Sequence, residues 1–429
     1  MIRCPGALLL VCCLTATTSA GNWPGWRGPT GQGTSPDKNL PVKWSPSENV
    51  RWKVALPDSG NSTPIIWGDR VFVTQASDKT WPVKPADGMK IVGNANYTPR
   101  YGAAGRRSVL CFNRADGKLL WQRDVVYKEK EPTHPDNPYC SESPVTDGER
   151  VIASHGPAGV VCYDFDGKEV WKRDVGKLEH IWGTASSPIL HGDLCIIWRG
   201  PGVVQSLIAL NKKTGETVWE HKEPEGKAGL KDKTVEGAWS TPLMARVGDQ
   251  DQLIAVTTEL EGFDPQTGKS LWTARRAGLC YHSPLFKDEI VYLGDSAYKL
   301  GGTGDIAKSR LPLRMVSGSY VHTGVIGGDY LYSHSTVPRC YELSTGKELW
   351  GDQMKERPRL QGVWGALVHA DGKVYYCDQG GTTIVLKAGP QYELLGMNSL
   401  KEHVNSSIAV ADGEIYIRTY KHLWCISAK

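Results

Sequence analysis

A repeat constrains this chain more than any other feature. From Ser141 to Trp171 it runs Ser-Glu-Ser-Pro, an apolar stretch, a Thr146-Asp147-Gly148 turn, alternating Val151 to Ser154, Val160-Val161-Cys162-Tyr163, and Asp166-Gly167-Lys168-Glu169-Val170-Trp171. Short alternating runs divided by Gly-centred turns are how antiparallel strands joined by tight hairpins read, so one copy predicts a four-stranded sheet. Similar copies place Trp at 121, 171, 219 and 272, in steps of about 50 residues, and again at 350 after a double step. Four strands at that period predict a propeller blade.

The blades are counted at the position that opens each innermost strand. Thr63-Pro64, Ser143-Pro144, Ser187-Pro188, Thr241-Pro242, Ser283-Pro284 and Thr323-Gly324 are joined by the weaker Ala366-Leu367 and Ser407-Ile408, which makes eight. The chain stops at Trp424-Cys425-Ile426, the third strand of the eighth copy, whereas Asn49-Val50-Arg51-Trp52-Lys53-Val54 reads as a fourth strand with nothing before it. Pairing the two closes the ring and removes the open edges that invite aggregation. With 48 Gly, 17 Tyr and 16 Trp and no amphipathic helical stretch beyond two turns, the expectation is all-β: one eight-bladed propeller closed by an N-terminal strand.

The recurring Trp52, Trp121, Trp171, Trp219, Trp272 and Trp350 are read as wedges between blades, not as ligand platforms. Of eleven cysteines, Cys111, Cys162, Cys340 and Cys425 share one repeat position, where the third blade has Ala209. Equivalent positions in different blades lie beyond the roughly 7 Å Cα separation a disulfide spans, so buried thiols are expected. Gly302-Thr303-Gly304-Asp305-Ile306-Ala307 fits a dinucleotide fingerprint but falls where other copies have their blade turn, and Asp164-Phe165-Asp166-Gly167 lacks the remaining ligands of a calcium loop.

Residues 1–20 carry Arg3, an apolar run from Ala7 to Leu14 and a small-residue end at Ala20, the pattern of a secretory signal. Residues 21–46 are Pro- and Gly-rich and read as an extended arm laid on the surface; residues 47–429 form the propeller. Leu10-Val11 before Cys12 does not suit lipidation, no later stretch is a membrane helix, and a net charge of +4 is too small for a nucleic-acid footprint. A periplasmic or secreted monomer follows as the expectation.

Two regions could carry function, both on the face with the long strand connections, where binding residues concentrate. A basic, aromatic insertion contains Lys79, Trp81, Lys84, Arg100, Tyr101, Arg106 and Arg107 and is a candidate partner-binding flap, although a solvated loop packed on its neighbour explains it as well. The channel mouth is the other. Two residues before the strand-opening Pro or its equivalent stand Glu142, His282 and His322, and one step earlier stand Asn61, Trp239, Tyr281, Trp364 and Asn405. No metal site and no catalytic residue is assigned.

The Asp-Gly-Lys-x-x-Trp or Thr-Gly-Lys-x-x-Trp ending resembles the PQQ-repeat propellers, which include quinoprotein alcohol dehydrogenases and BamB-like outer-membrane assembly proteins. Trp23-Pro24-Gly25-Trp26-Arg27-Gly28-Pro29, Gly33-Thr34-Ser35, Leu386-Lys387-Ala388-Gly389-Pro390 and Ile415-Tyr416-Ile417-Arg418 through Ile426 are similar to secreted bacterial members. The dehydrogenases hold the quinone between a Trp and a disulfide of adjacent cysteines, beside calcium and a catalytic Asp. The resemblance thus implies Glu142 as calcium carboxylate and Asn61 or Asn405 as amide ligand; the only adjacent cysteines, Cys12-Cys13, lie in the leader, and no catalytic Asp is placed. The reading favoured is an exported, non-catalytic scaffold without cofactor that binds a protein or envelope polymer through its long-loop face. A PQQ- and calcium-dependent oxidoreductase and a carbohydrate-binding or carbohydrate-acting propeller are the alternatives.

Overall fold

The structure is a computed structural model that describes residues 21–428 apart from 78–99, 103–104, 130, 135, 179, 227–235, 275–278, 320, 336, 352–357 and 359. The leader and Lys79, Trp81 and Lys84 lie outside the described residues.

The repeats fold into eight antiparallel blades, each meandering outward from the channel. Blade 2 shows the plan: Val145–Thr146, Arg150–Ser154, Val160–Asp164 and Glu169–Arg173 pair in sequence order. In blade 8 the outermost strand is Val50–Ala55, which pairs antiparallel with His422–Ser427 and closes the ring.

Register explains the shared cysteine position. Cys111 lies opposite Trp121, Cys162 opposite Trp171, Cys340 opposite Trp350 and Cys425 opposite Trp52, while Ala209 and Gly262 face Trp219 and Trp272. Only a small residue leaves room for the indole across the ladder. All eight cysteines of the described chain are buried free thiols.

Each such Trp docks onto the following blade. The indole N–H groups of Trp52, Trp121, Trp171 and Trp219 donate to the carbonyls of Arg114, Phe165, Lys212 and Pro265, which sit in the next blade's outer hairpin. The Gly of that hairpin lies flat on the ring. Gly215 has φ +75°, and a Cβ there would fall 2.7 Å from Trp171, so the Gly-Lys turns serve both hairpin geometry and docking. Apolar clusters accordingly straddle blade boundaries, as where Trp171 packs with Cys195, Ile197, Ile208 and Leu210 of blade 3.

Blade 5 departs from the plan: Leu285–Lys287, Ile290–Leu293 and Ser296–Lys299 form a three-stranded sheet among the described residues. Gly304–Asp305, expected in a blade turn, instead pairs parallel with the outer strand of blade 4, Trp272 opposite Gly304. Ile306 buries itself in the cluster around Trp272, which draws the segment across. Lacking the usual hairpin, Trp272 donates within its own blade, to Gln252 at 2.8 Å.

The strand-opening hydroxyls form a belt around the channel. Ser143 Oγ accepts from the Thr63 N–H, Ser187 from Ser143, Thr241 from Ser187, Ser283 from Thr241, Thr323 from Ser283, Ser407 from Ala366 and Thr63 from Ser407, at 2.8–3.2 Å. Blade 7 has Ala366 at this position, and there the Leu367 N–H donates to the Thr323 carbonyl at 3.0 Å instead. The recurring Ser/Thr thus ties each innermost strand to the next, and the Pro after it brings no donor to satisfy.

The segment read as a surface arm is built into the ring. Trp23 is fully buried and bridges Ile66, Thr34–Ser35 pairs parallel with Val368–Ala370, and Gln32 accepts from the Phe286 N–H. Arg27 is 1% exposed and donates to the Gly324 carbonyl at 2.8 Å. Residues 22–35 thereby touch innermost strands of several blades, because the inner edges leave apolar surface that the arm's Trp side chains cover.

Two stability outcomes follow. Trp171→Ala leaves a cavity between blades 2 and 3 and is expected to cost about 3–5 kcal/mol in chemical denaturation. Ser187→Ala strips the buried Ser143 N–H of its acceptor and is expected to cost about 1–3 kcal/mol by the same measurement.

Candidate functional site

The innermost strands are entered by extended tripeptides, and alternation along them sorts the candidates. Asn61, Ser141, Ala185, Trp239, Tyr281, Val321, Trp364 and Asn405 hold the first place of the tripeptide in the eight blades, and every one lines a single cavity of about 870 Å³ at the channel mouth. Of the middle places only His322 does so, and of the third places Thr63, Thr241 and Ser407. Side chains of an extended chain point alternately to opposite sides, so first and third places share the channel and middle places turn away.

Six sequence candidates are therefore brought together: Asn61, Trp239, Tyr281, His322, Trp364 and Asn405. Glu142 and His282 do not line the cavity. Glu142 is 2% exposed and accepts from the Thr184 hydroxyl; His282 lies against Gly294 and Gly318. Both occupy the middle place, and that parity is the physical reason they miss. His134, Asn137 and Trp182 from the connections entering blades 2 and 3, His334 from blade 6 and Trp26 from the arm complete much of the wall, and sequence reasoning did not select them. The repeating first place was a signal for Ser141, Ala185 and Val321; His134, Asn137, Trp182 and His334 hold no repeat position that marks them, and Trp26 depends on the arm crossing the ring.

Aromatic rings dominate the wall. Trp239 and Tyr281 stack at 5.1 Å and 21°, Trp182 packs 5.5 Å from Trp239, and Trp364 lies 5.8 Å from His134. Amides supply the polar groups. Asn61 Nδ2 donates to the Asp136 carbonyl at 2.6 Å, and Asn405 Nδ2 donates to the Tyr420 hydroxyl at 2.9 Å. Asn61 Oδ1 is buried without a hydrogen-bond partner, as is His334 Nε2. Burial, aided by the nearby Arg339 cation, lowers the His334 pKa to about 4 and keeps that ring neutral.

No Asp, Glu, Lys or Arg is among the described lining residues. Pyrroloquinoline quinone carries carboxylates that call for cationic partners, and a calcium ion beside it calls for carboxylate ligands. The described residues at this mouth supply neither, and Glu142 is sealed beneath the strand surface, so they do not fit that pair. The His221, Glu223 and Glu261 cluster, with ligand atoms within 4.8 Å of one another, is not part of the cavity; Thr257, Thr258 and Ser270 hydroxyls donate to its carboxylates.

At the flap, Arg100–Gly102 pairs antiparallel with Glu131–Thr133, so the insertion and the following connection cover one sector of the face. This backbone pairing includes Arg100 and Tyr101. Arg106 is partly exposed beside Asp58 and Asp124 at 3.5 and 3.6 Å. Arg107 is 2% exposed, ion-paired with Glu131 and stacked 4.4 Å over Tyr139. Its charge is taken up internally, which corrects the expectation that it meets a partner.

Burial pushes the Glu142 carboxyl up to about 7, with the Thr184 hydroxyl bond acting in the opposite direction. The folded state then binds a proton that the unfolded chain releases from about pH 4.5 upward, so Glu142 lowers stability as pH rises through that interval and the loss is complete above about pH 7. Relative to Glu142→Gln, which retains the acceptor for Thr184, the parent protein is expected to lose a few kcal/mol between pH 4.5 and 7 in urea denaturation.

Comparisons place this geometry among known proteins. The profile of the family described as outer membrane protein assembly factor BamB matches residues 105–336. Among solved structures, BamB from Moraxella catarrhalis superposes with a TM-score of 0.53 at 16% identity, covering 82% of this chain and 98% of that one. The quinohemoprotein alcohol dehydrogenase ADHIIG from Pseudomonas putida gives 0.60 at 12% identity, covering 95% and 81%. A europium-containing methanol dehydrogenase gives 0.54 at 11%, covering 96% and 99%. No curated protein matches the sequence. These structural likenesses are likenesses of fold. The family profile spans more than half of the chain, and together with the eight-bladed ring it shows that the chain belongs to the BamB-like family of PQQ-repeat propellers.

Proposed function

We propose that this chain is a binding propeller of the cell envelope, with no catalytic centre of its own, that takes its ligand at the channel mouth on the long-loop face. One observation carries the reading: all eight blades contribute a first-place residue to one cavity, and its described lining is aromatic, aliphatic, amide and hydroxyl in character, without a carboxylate, lysine or arginine. General acid–base catalysis relies on positioned titratable groups; beside the imidazoles of His134, His322 and His334, of which burial keeps His334 neutral, the described wall has no carboxylate, lysine or arginine. Membership of a family described as an outer membrane assembly factor supports an envelope setting. Among the described residues no helix is long and apolar enough to cross a membrane. The partner class is a protein or an envelope polymer.

The test is calorimetric titration with pyrroloquinoline quinone and Ca²⁺, with dye-linked oxidation of alcohols and sugars assayed on the same sample. The expected outcome is no saturable heat at high micromolar quinone and no turnover above blank. Tight binding with turnover overturns this reading in favour of a quinone-dependent oxidoreductase.

A further inference from the structure

Resting on the reading of the mouth as a binding site, we infer that its ligand is a neutral glycan, a run of uncharged sugar residues inserted among the aromatic rings and amides. A pyranose has flat C–H faces and a rim of hydroxyls that both donate and accept. The wall answers both. Trp239 and Tyr281 form a slab of nearly parallel rings, and Trp364 adds an indole from a different blade. Flat aromatic surface buries apolar C–H faces at small entropic cost, because each ring has few torsions to freeze.

The polar groups narrow the ligand further. Asn61, Asn137 and Asn405 bring amides to the wall, and an amide both donates and accepts. A proline-rich segment, which also favours aromatic grooves, offers carbonyl acceptors and no prolyl N–H. A sugar hydroxyl donates and accepts at once. His334, kept neutral by burial, lines the same cavity, and an uncharged imidazole suits an uncharged hydroxyl.

Charge excludes two other classes. Anionic polymers and nucleic acid call for Lys or Arg, and neither is among the described lining residues. A cavity of about 870 Å³ is large for a single small metabolite and suits a short oligosaccharide.

The experiment is affinity electrophoresis of the mature protein through gels containing dextran, soluble starch, mannan, galactan or xylan, with alginate and heparin gels beside them. Parent protein is compared with Trp364→Ala and Trp239→Phe. Trp364 is only partly buried, so its variant is expected to keep the parent melting temperature, and Trp239→Phe keeps a ring in the wall. The expected result is retardation by at least one neutral polysaccharide and by neither anionic one, weakened about tenfold or more in Trp364→Ala. Neutral-polysaccharide retardation unchanged in both variants overturns the inference. So does binding of a proline-rich peptide or of pyrroloquinoline quinone that both variants abolish while no neutral polysaccharide retards the protein; that outcome leaves the mouth as the binding site. If no probe of any class responds to either variant, the mouth reading fails with it.

Discussion

The ring depends on the pairing of Val50–Ala55 with His422–Ser427. A blade is a small twisted sheet with apolar residues on both faces, and it buries them only against two neighbours. Closure by an N-terminal strand gives blade 8 its outer edge and brings Trp52 onto the outer hairpin of blade 1, where its N–H reaches the Arg114 carbonyl. The Trp docking and the hydroxyl belt act between successive blades, so the boundaries running from blade 8 through blades 1, 2 and 3 to blade 4 are each held at two radii: near the channel by Ser or Thr, near the rim by indole. Blade 5 is the exception that tests this description. Its outer hairpin is replaced by Gly304–Asp305 lying on blade 4, and Trp272 correspondingly loses its cross-blade acceptor and bonds Gln252.

The same rigidity creates the mouth. Eight strands entering a fixed ring in register bring eight equivalent positions to one rim, whatever their side chains are. Three of those positions, Ser141, Ala185 and Val321, are small or aliphatic and carry no ring or amide group, whereas Asn61, Trp239, Tyr281, Trp364 and Asn405 crowd polar and aromatic groups into the same ring. Because the scaffold positions the site without help from any one side chain, substitution at the rim can change what is bound while leaving the ring intact. Beneath it, Arg107 with Glu131 and Glu142 with Thr184 are buried polar groups that brace the connections of blades 1 to 3 and do not reach the cavity.

Much of this was legible in the residues. Trp spacing, Gly-centred turns and the orphan Trp52 strand specify blade number and closure because each reports a local requirement: a hairpin conformation, a strand edge, a wedge. The site was legible by column but not by parity. Glu142 and His282 attract attention as titratable side chains, yet they occupy the place that alternation turns away from the channel, while Asn61, Trp239 and Trp364 one step earlier face it. The hydroxyl belt was visible as recurring Ser-Pro and Thr-Pro pairs, whose meaning depends on a neighbouring blade's N–H 40 to 80 residues away in sequence, or 344 where the ring closes.

What the sequence determined by itself is therefore the local grammar: strand after strand, small residues opposite Trp, and an eighth blade lacking a strand that the N-terminus supplies. Tertiary structure alone decided three things. It turned residues 22–35 from an arm into part of the ring's interior, with Arg27 buried, because inner-strand apolar surface was available only after closure. It moved Gly304–Asp305 onto blade 4, where Ile306 finds burial beside Trp272. It also gathered side chains from Asn61 to Asn405 around one cavity, since residues hundreds of positions apart meet only when the ring fixes the axis they share.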